Sequence, residues 1–558
     1  MRNRWFTLSG SFRVLPAAAM TCLLIILSGC KKEEQEYTPE PILTVTVAGY
    51  ELRHDLYYQI PYTARSVELL FSEALDTSTV AENLELSDQH GSCNGKFSLL
   101  ASGHHALLQF HSDFFLHDGW QYRITIKPGL HTLGGDSFSS DVILELRTTQ
   151  KHPDLLGATP GDSTVRESVL VISDVHMGDA RSITNKYGWF EDNGPALTSL
   201  LDGVLTGNEV KQVVILGDLF DEWIVPFSMP PFDSAAGVTS NLDYFQSVAS
   251  NPVNLPVIEQ FRAIASSGEV DLIYVPGNHD MLMSREIIQG IIPGIIWKSD
   301  TIGLGRYFPV PEMVMEHGHR YDFFNCPQPL INPGHMLPPG YFISRLYAQG
   351  NMEHPGMLKS TQGTLGSFEF DAAWDIAIAY TLLHFGMWPP DFWANNIRMS
   401  GINDYTQLLS FHGVKEMYNP LIESSWLMTQ AANDVTVPID ECIIAIWNGH
   451  SDLFSAAQTE YMKSPAPVTY NVVAFGHTHE PMIKVYPTGS QYTSIYANSG
   501  SWVDEDQSTY KVRTYLLITP GAWSGSALDV VSLFQYNPAT GGGFKPELIG
   551  EESIESTP

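Results

Sequence analysis

The chain has 558 residues, with 62 Asp and Glu against 30 Lys and Arg, and a formal net charge of −32 at pH 7. Phosphate backbones are bound by clustered Lys and Arg, so this balance excludes long nucleic acids as the expected partner. It also repels anionic substrates at long range, so any local positive field has to come from bound metals. The length allows roughly three to four domain-sized units.

Residues 1–29 contain Arg2, Arg4 and Arg13, an apolar stretch through Ile26, and then Leu27-Ser28-Gly29 before Cys30. That is the pattern of a secretory signal closed by a lipobox, as in bacterial lipoproteins, and not of a transmembrane span. The mature chain is expected to begin at Cys30, the lipidation site, with several acyl chains that together suffice for stable anchoring to a membrane. Lys31-Lys32-Glu33-Glu34 resembles the lysine-then-acidic signal that sends some Gram-negative lipoproteins to the outer face. The expectation is therefore an exported lipoprotein of the outer membrane, with surface exposure as one outcome. Once Cys30 is acylated, Cys93, Cys326 and Cys442 keep their thiols, an odd number that allows one disulfide and demands none.

Residues 30–41 are charged and Pro-containing, and read as a tether. From 42 to 150 short alternating runs recur, among them Ser66-Val-Glu-Leu-Leu-Phe-Ser72 and Gln121-Tyr-Arg-Ile-Thr-Ile126, separated by turn residues. Such spacing predicts an all-β sandwich. The Phe71-Ser-Glu-Ala-Leu-Asp76 and Asp118-Gly-Trp-Gln-Tyr-Arg-Ile-Thr-Ile126 segments resemble the bacterial Ig-like domain of surface proteins, which implies a spacing or docking role.

The chemistry begins at residue 168. Ser168-Val-Leu-Val-Ile-Ser-Asp-Val-His176 reads as a buried strand that ends where polar side chains begin. Positions i and i+2 of an extended chain face the same way, so Asp174 and His176 can grip one ion. Four more apolar runs end alike, before Gly217-Asp218, Gly277-Asn278-His279-Asp280, His317-Gly318-His319 and Gly476-His477-Thr478-His479, and Asn498-Ser499-Gly500 follows. Strands that each deliver a polar residue at the carboxyl end build a site along the rim of an open α/β sheet. Together they supply carboxylate, amide and imidazole as a pair of divalent metals sharing one carboxylate needs.

The order D-x-H, G-D-x-x-D, G-N-H-D, H-G-H, G-H-T-H resembles the calcineurin-like metallophosphoesterases, and Gly217-Asp-Leu-Phe-Asp-Glu-Trp223 is similar to the branch containing UDP-2,3-diacylglucosamine hydrolase. The likeness spans about 166 to 335 and 466 to 520. It implies a four-layer αββα sandwich over 166–540. It also implies that Asp174, His176 and His479 bind one metal, that Asn278, His317 and His477 bind the second, and that Asp218 bridges them. His279 is implied as the catalytic residue over the substrate oxygens, with Asp280 orienting its ring. Asp221 stands where purple acid phosphatases carry an iron-binding tyrosine, which argues against a tyrosinate-iron centre. Asp221 is read either as a helix N-cap or as a residue behind the ligands, and His319 either as a metal neighbour or as a loop residue. Mixed oxygen and nitrogen ligation suits manganese, iron or zinc.

Residues 332–467 interrupt this pattern with helical periodicity over 372–385 and 421–432 and the aromatic Met387-Trp-Pro-Pro-Asp-Phe-Trp393. Core packing accounts for such aromatics, but an insertion between two metal-bearing strands is also placed to act as a lid, with Arg345, Lys359 and Arg398 as candidate phosphate contacts. Residues 541–558 read as a flexible tail. The expected activity is hydrolysis of a phosphate ester or pyrophosphate bond by hydroxide generated between two divalent metals. The substrate is a phosphorylated small molecule, nucleotide or lipid. The competing reading is a surface binding lipoprotein on a catalytically retired fold, whose signature would be lost ligands; all seven are present.

Overall fold

The computed structural model describes residues 43–151, 166–300 except 231, 303–327 except 323, 337–355, 453–463, 470–488 and 491–557, with short pieces at 398–399, 409–410 and 428–433 except 429. Cys30, Lys359, Trp388, Trp393 and Cys442 lie outside the described residues, as does the side chain of Arg398.

Residues 43–151 fold as two β-sheets packed face to face. The first runs in the order Val45–Val47, Ser66–Phe71, His105–Phe110, Phe97–Ser102. The second runs Leu52–Arg53, Tyr57–Ile60, Val142–Thr148, Gln121–Ile126, Leu84–Asp88, Gly91–Ser92. Alternation in the sequence places Val67, Leu69 and Phe71 of one sheet against Leu86, Ile124 and Leu146 of the other in one core.

The remaining described chain is built on two mixed sheets. The larger has the order Ile296–Trp297, Asp271–Val275, Val210–Leu216, Ser168–Ile172, Thr514–Thr519, Leu528–Pro538, Phe544–Glu555, parallel through its first four strands and antiparallel through its last three. The smaller runs Met313–Met315, Val472–Phe475, Gln491–Asn498, Met482–Thr488. Their facing surfaces share a core that includes Val169, Val171, Val214, Leu216, Ile273, Met313, Met315, Val472, Ala474 and Ile495. Strands buried on both faces read as continuous apolar runs. Each fully buried Val, Leu or Ile contributes roughly 1.5–3 kcal/mol.

Helices Gly194–Thr206, Asn241–Ala249, Leu255–Ser267 and Arg285–Ile291 cover the outer face of the larger sheet. On the outer face of the smaller one, Phe475 and Tyr496 meet Phe454 and Tyr461 of the short Phe454–Met462 turns. The outcome is an α/β sandwich with helical material outside both sheets.

The expectation of a flexible tail at 541–558 is corrected. Phe544–Glu555 is a 12-residue edge strand paired along its length with Leu528–Pro538. Its acids are absorbed by the N-terminal sandwich: Tyr57 Oη donates to Glu552 at 2.7 Å, Arg53 meets Glu552 at 3.1 Å, and Arg147 donates to the Ser553 carbonyl.

Candidate metal centre

All the strand-end motifs arrive at one rim. Of nine described non-glycine residues with positive φ, five are Asp174 (54°), His176 (58°), Asp218 (53°), His477 (71°) and His479 (58°). The left-handed backbone ends each strand abruptly and turns the side chain over the sheet edge. For residues with a Cβ this is strained and persists only where surrounding structure enforces it, typically at functional sites. The enforcement is visible. Val175 and His176 both donate to the Asp218 carbonyl at 2.9 Å, Met177 donates to Leu219 at 2.9 Å, and His477 N donates to Asp174 Oδ2 at 3.0 Å. Asn498 Nδ2 donates to the Gly476 carbonyl at 2.6 Å and steadies the last turn. Gly277 is required because a Cβ there would collide with Asp218 Oδ1.

Among the described residues the side chains gather in three groups, each with ligand atoms within 4.8 Å of one another: Asp174, His176 and His479; Asp218, His317 and His477, called the second group below; and His176, Asp221 and His279. Asn278 Oδ1 joins the second, 3.1 Å from His317 Nε2. Asp218 Oδ1 accepts from His279 N at 2.8 Å, while Oδ2 lies 3.2 Å from His317 Nε2 and 3.8 Å from His176 Nε2, between the first two groups. Three imidazoles are fixed from behind by acceptors. His317 Nδ1 donates to the Leu216 carbonyl at 2.7 Å, His176 Nδ1 to Asp221 Oδ2 at 2.9 Å, and His477 Nε2 to Asp322 Oδ2 at 2.8 Å. Each therefore turns its other ring nitrogen toward its partners.

These residues fit metal ions on the structure's own terms. Asp174 Oδ1 is buried and accepts no hydrogen bond, although three imidazole nitrogens lie within 3.9 Å. The nearest is His479 Nε2 at 3.3 Å, and that nitrogen is in turn 3.1 Å from His176 Nε2. A buried carboxylate oxygen among converging imidazole nitrogens is an arrangement that a metal ion satisfies. Burial opposes charge on His317, but the Asp218 and Asp174 carboxylates outweigh it and hold the imidazole up at about 10. The centre attracts cations.

His279 stands at the cavity edge. Its Nδ1 lies 3.1 Å from both Asp221 oxygens, and Trp223 packs its ring from 4.7 Å. Burial pulls its pKa down, yet Asp221 and Asp218 together raise it above the ordinary histidine value. This corrects the role expected of Asp280. That carboxylate accepts from Gly277 N at 2.7 Å, Leu219 N at 3.0 Å and the Tyr274 hydroxyl, so it shapes the loops. Burial and the Asp218 charge push it up to about 6. Asp221 is the residue that orients both His279 and His176. His319 turns away and donates from Nε2 to the Gly303 carbonyl at 2.7 Å.

A cavity of about 350 Å³ opens on this rim, lined by Asp218, Asn278, His279, His477 and His479 on one side and by Trp189, Phe324, Ile343, Ser344 and Tyr347 on the other. Trp189 lies over His176 at 5.1 Å between ring centroids, and its carbonyl accepts from Asp504 N at 2.8 Å. Ile343 and Tyr347 come from helix Pro339–Glu353, within the expected insertion. Arg345 of that helix is not a phosphate contact. It is fully buried, and its guanidinium donates to the carbonyls of Val225, Pro226 and Met229 at 2.6–3.0 Å, clamping the helix to the loop after Asp221. Sequence reasoning missed Trp189 and Asp322. Neither has a local signature beyond Asp322 standing shortly after His-Gly-His.

No curated protein matches the chain by sequence. Among solved structures, it is similar to Vps29 from Chaetomium thermophilum, with 9% identity over 70% of this chain and 99% of that one and a TM-score of 0.22. Native alpha-2-macroglobulin from Escherichia coli, spanning domains MG0-NIE-MG1, matches at 20% identity over 23% of this chain and 40% of that one, with a TM-score of 0.15. Surface layer protein SbsC matches at 14% identity, covering 30% of this chain and 19% of that one, with a TM-score of 0.14. Likenesses this distant carry no argument about fold or activity. The family model does: residues 168–345 match the calcineurin-like phosphoesterases, usually metal-dependent hydrolases, so this chain carries a calcineurin-like phosphoesterase domain.

Proposed function

We propose that the chain is a dinuclear-metal hydrolase of a phosphate ester or pyrophosphate bond, acting at the rim of its calcineurin-like domain. The observation that carries this reading is the buried, hydrogen-bond-free Asp174 Oδ1 among converging imidazoles, with Asp218 Oδ2 between the two ligand groups. Asp174, His176 and His479 would hold one divalent cation, Asn278, His317 and His477 the other, and Asp218 both. Manganese, iron or zinc suits this mixed ligation. When bound, such a pair supplies hydroxide at neutral pH and neutralises the phosphoryl oxygens under in-line attack. His279, whose pKa Asp221 raises, protonates the departing oxygen or stabilises the charge that develops on it. Trp189 closes one side of the site and limits water.

The apolar wall of Trp189, Phe324, Ile343 and Tyr347 facing a polar floor supports a substrate in which a phosphate adjoins an apolar or flat group, such as a lipid-linked or nucleotide-linked phosphate. The similarity of Gly217–Trp223 to the UDP-2,3-diacylglucosamine hydrolase branch points the same way. We place the enzyme on the outer membrane through an acylated Cys30, with residues 42–150 as an Ig-like spacer. No described helix is long and apolar enough to cross a membrane. The complete ligand set speaks against a retired binding protein.

The test is a screen of metal-reconstituted protein against an aryl phosphate monoester, a bis-aryl phosphodiester and a nucleotide pyrophosphate. Turnover of at least one, abolished by chelation and restored by manganese(II), is expected. Inactivity on all three with two metals bound would favour the retired fold.

A further inference from the structure

We propose that Asp322 is a positioning residue that fixes metal ligand His477 and ties it to the helix walling the cavity. Asp322 is buried at 6% exposure on the turn after His317-Gly318-His319. Its Oδ2 accepts from His477 Nε2 at 2.8 Å and from Asn325 Nδ2 at 2.6 Å, and its Oδ1 accepts from Phe324 N at 2.8 Å. Its carbonyl takes Cys326 N at 2.8 Å, and its own N–H goes to the His319 carbonyl at 3.1 Å. A carboxylate can only accept, so a hydrogen of His477 lies on Nε2. Nδ1 is then the nitrogen left for the group formed with Asp218 and His317.

The same turn carries the wall. Gly340, at the start of helix Pro339–Glu353, donates to the Phe324 carbonyl at 2.9 Å, and a Cβ on Gly340 would run into Asn325 Oδ1. The helix therefore rests directly on the Phe324–Asn325 turn while lending Ile343 and Tyr347 to the cavity. Contacts run without a gap from the wall through Gly340 and Asn325 to Asp322, and from Asp322 to His477. A carboxylate behind a metal-binding imidazole sets its orientation and basicity, and its loss costs about 10- to 100-fold in metal affinity.

This inference rests on the two-metal reading above, and the experiment separates the two. Manganese(II) is titrated calorimetrically into the chelator-treated full chain, wild type and Asp322→Asn. The substitution keeps the volume but cannot satisfy the three donors aimed at the carboxylate, since the amide must turn its NH2 toward one of them. The expected result is two ions bound by wild type, with one affinity lowered about 10- to 100-fold in the variant and the other unchanged, because Asp174, His176 and His479 do not touch Asp322. Equal weakening of both ions with a lowered unfolding midpoint, or two wild-type affinities, would overturn the positioning role. Failure of wild type to bind two ions would overturn the metal reading itself, and this inference with it. A measurement free of folding risk uses the metal-free wild type labelled with 15N-histidine. The His477 ring, assigned by its disappearance in His477→Gln, must show the hydrogen on Nε2, and a hydrogen on Nδ1 refutes the proposal.

Discussion

Replacing His479 by glycine is expected to leave the metal-free fold more stable than replacing it by alanine, while both substitutions remove a ligand of the first cation. His479 has φ 58° and a side chain only 19% exposed, so truncation gives up largely buried surface, but nearly the same amount in both variants. In the left-handed region a residue with a Cβ costs about 1–2 kcal/mol, which glycine escapes. Elsewhere glycine is about 0.5–1 kcal/mol worse than alanine, through the greater freedom of its unfolded chain. The balance at this position favours glycine by about 0.5–1 kcal/mol. Urea unfolding of chelator-treated protein reads this as a higher midpoint at unchanged slope. Manganese(II) at about 100 times its Kd should then stabilise wild type by about 2.7 kcal/mol per ion, and both variants by less. A glycine variant no more stable than alanine would refute backbone strain at the ligand turns, and full stabilisation of both variants by metal would remove His479 from the ligand set.

Four further outcomes follow from the same geometry. Asp218→Asn should lower bound metal as well as turnover, since an amide cannot supply the charge shared by two cations; elemental analysis showing full occupancy would exclude Asp218 as the bridge. His279→Asn should lower kcat by about 10²- to 10⁴-fold with metal content unchanged, whereas loss of a metal would make His279 a ligand. Because His279 acts protonated and its pKa is raised, activity should persist above neutral pH and be lost as pH climbs through that raised value; Asp221→Asn should move this alkaline limb to lower pH, and an unmoved limb separates Asp221 from His279. Cys30→Ser should release a soluble, active enzyme, and membrane association that survives a high-salt wash would defeat the lipobox reading.

The residues that meet at the rim are legible because each sits at the end of an apolar run, where strand period and motif speak together over a few residues. What orients them was harder to read. Asp280 adjoins His279 in sequence and was expected to hold its ring, but it faces the other way, into Gly277 and Leu219, and the ring instead meets Asp221 from the loop of another strand. Sequence adjacency misled there because the pairing is set across the sheet. Arg345 misled differently: a lone cation near a phosphate site invites a phosphate contact, yet three carbonyls of the 225–229 loop consume it. The strand at Phe544–Glu555 was hidden by its acids, whose cationic and phenolic partners Arg53 and Tyr57 lie almost five hundred residues away.

The acidity of the chain and the chemistry proposed for it meet at this rim. Asp174, Asp218, Asp221 and Asp322 are all nearly fully buried within one cluster, and each is held below the usual carboxylate range, burial raising it and the neighbouring histidines outweighing that rise. Two of them, Asp221 and Asp322, face imidazoles that the proposed mechanism uses as ligand or acid. Asp174 and Asp218 keep an oxygen toward the ligand groups. A cluster of this sign repels a phosphate, and the surrounding chain, at −32, adds to the repulsion. Two divalent cations held by the proposed ligands would reverse the sign locally. The left-handed turns have the same logic: strain that the fold tolerates in five residues of the proposed centre holds their side chains together before a cation arrives, so that binding need not assemble them.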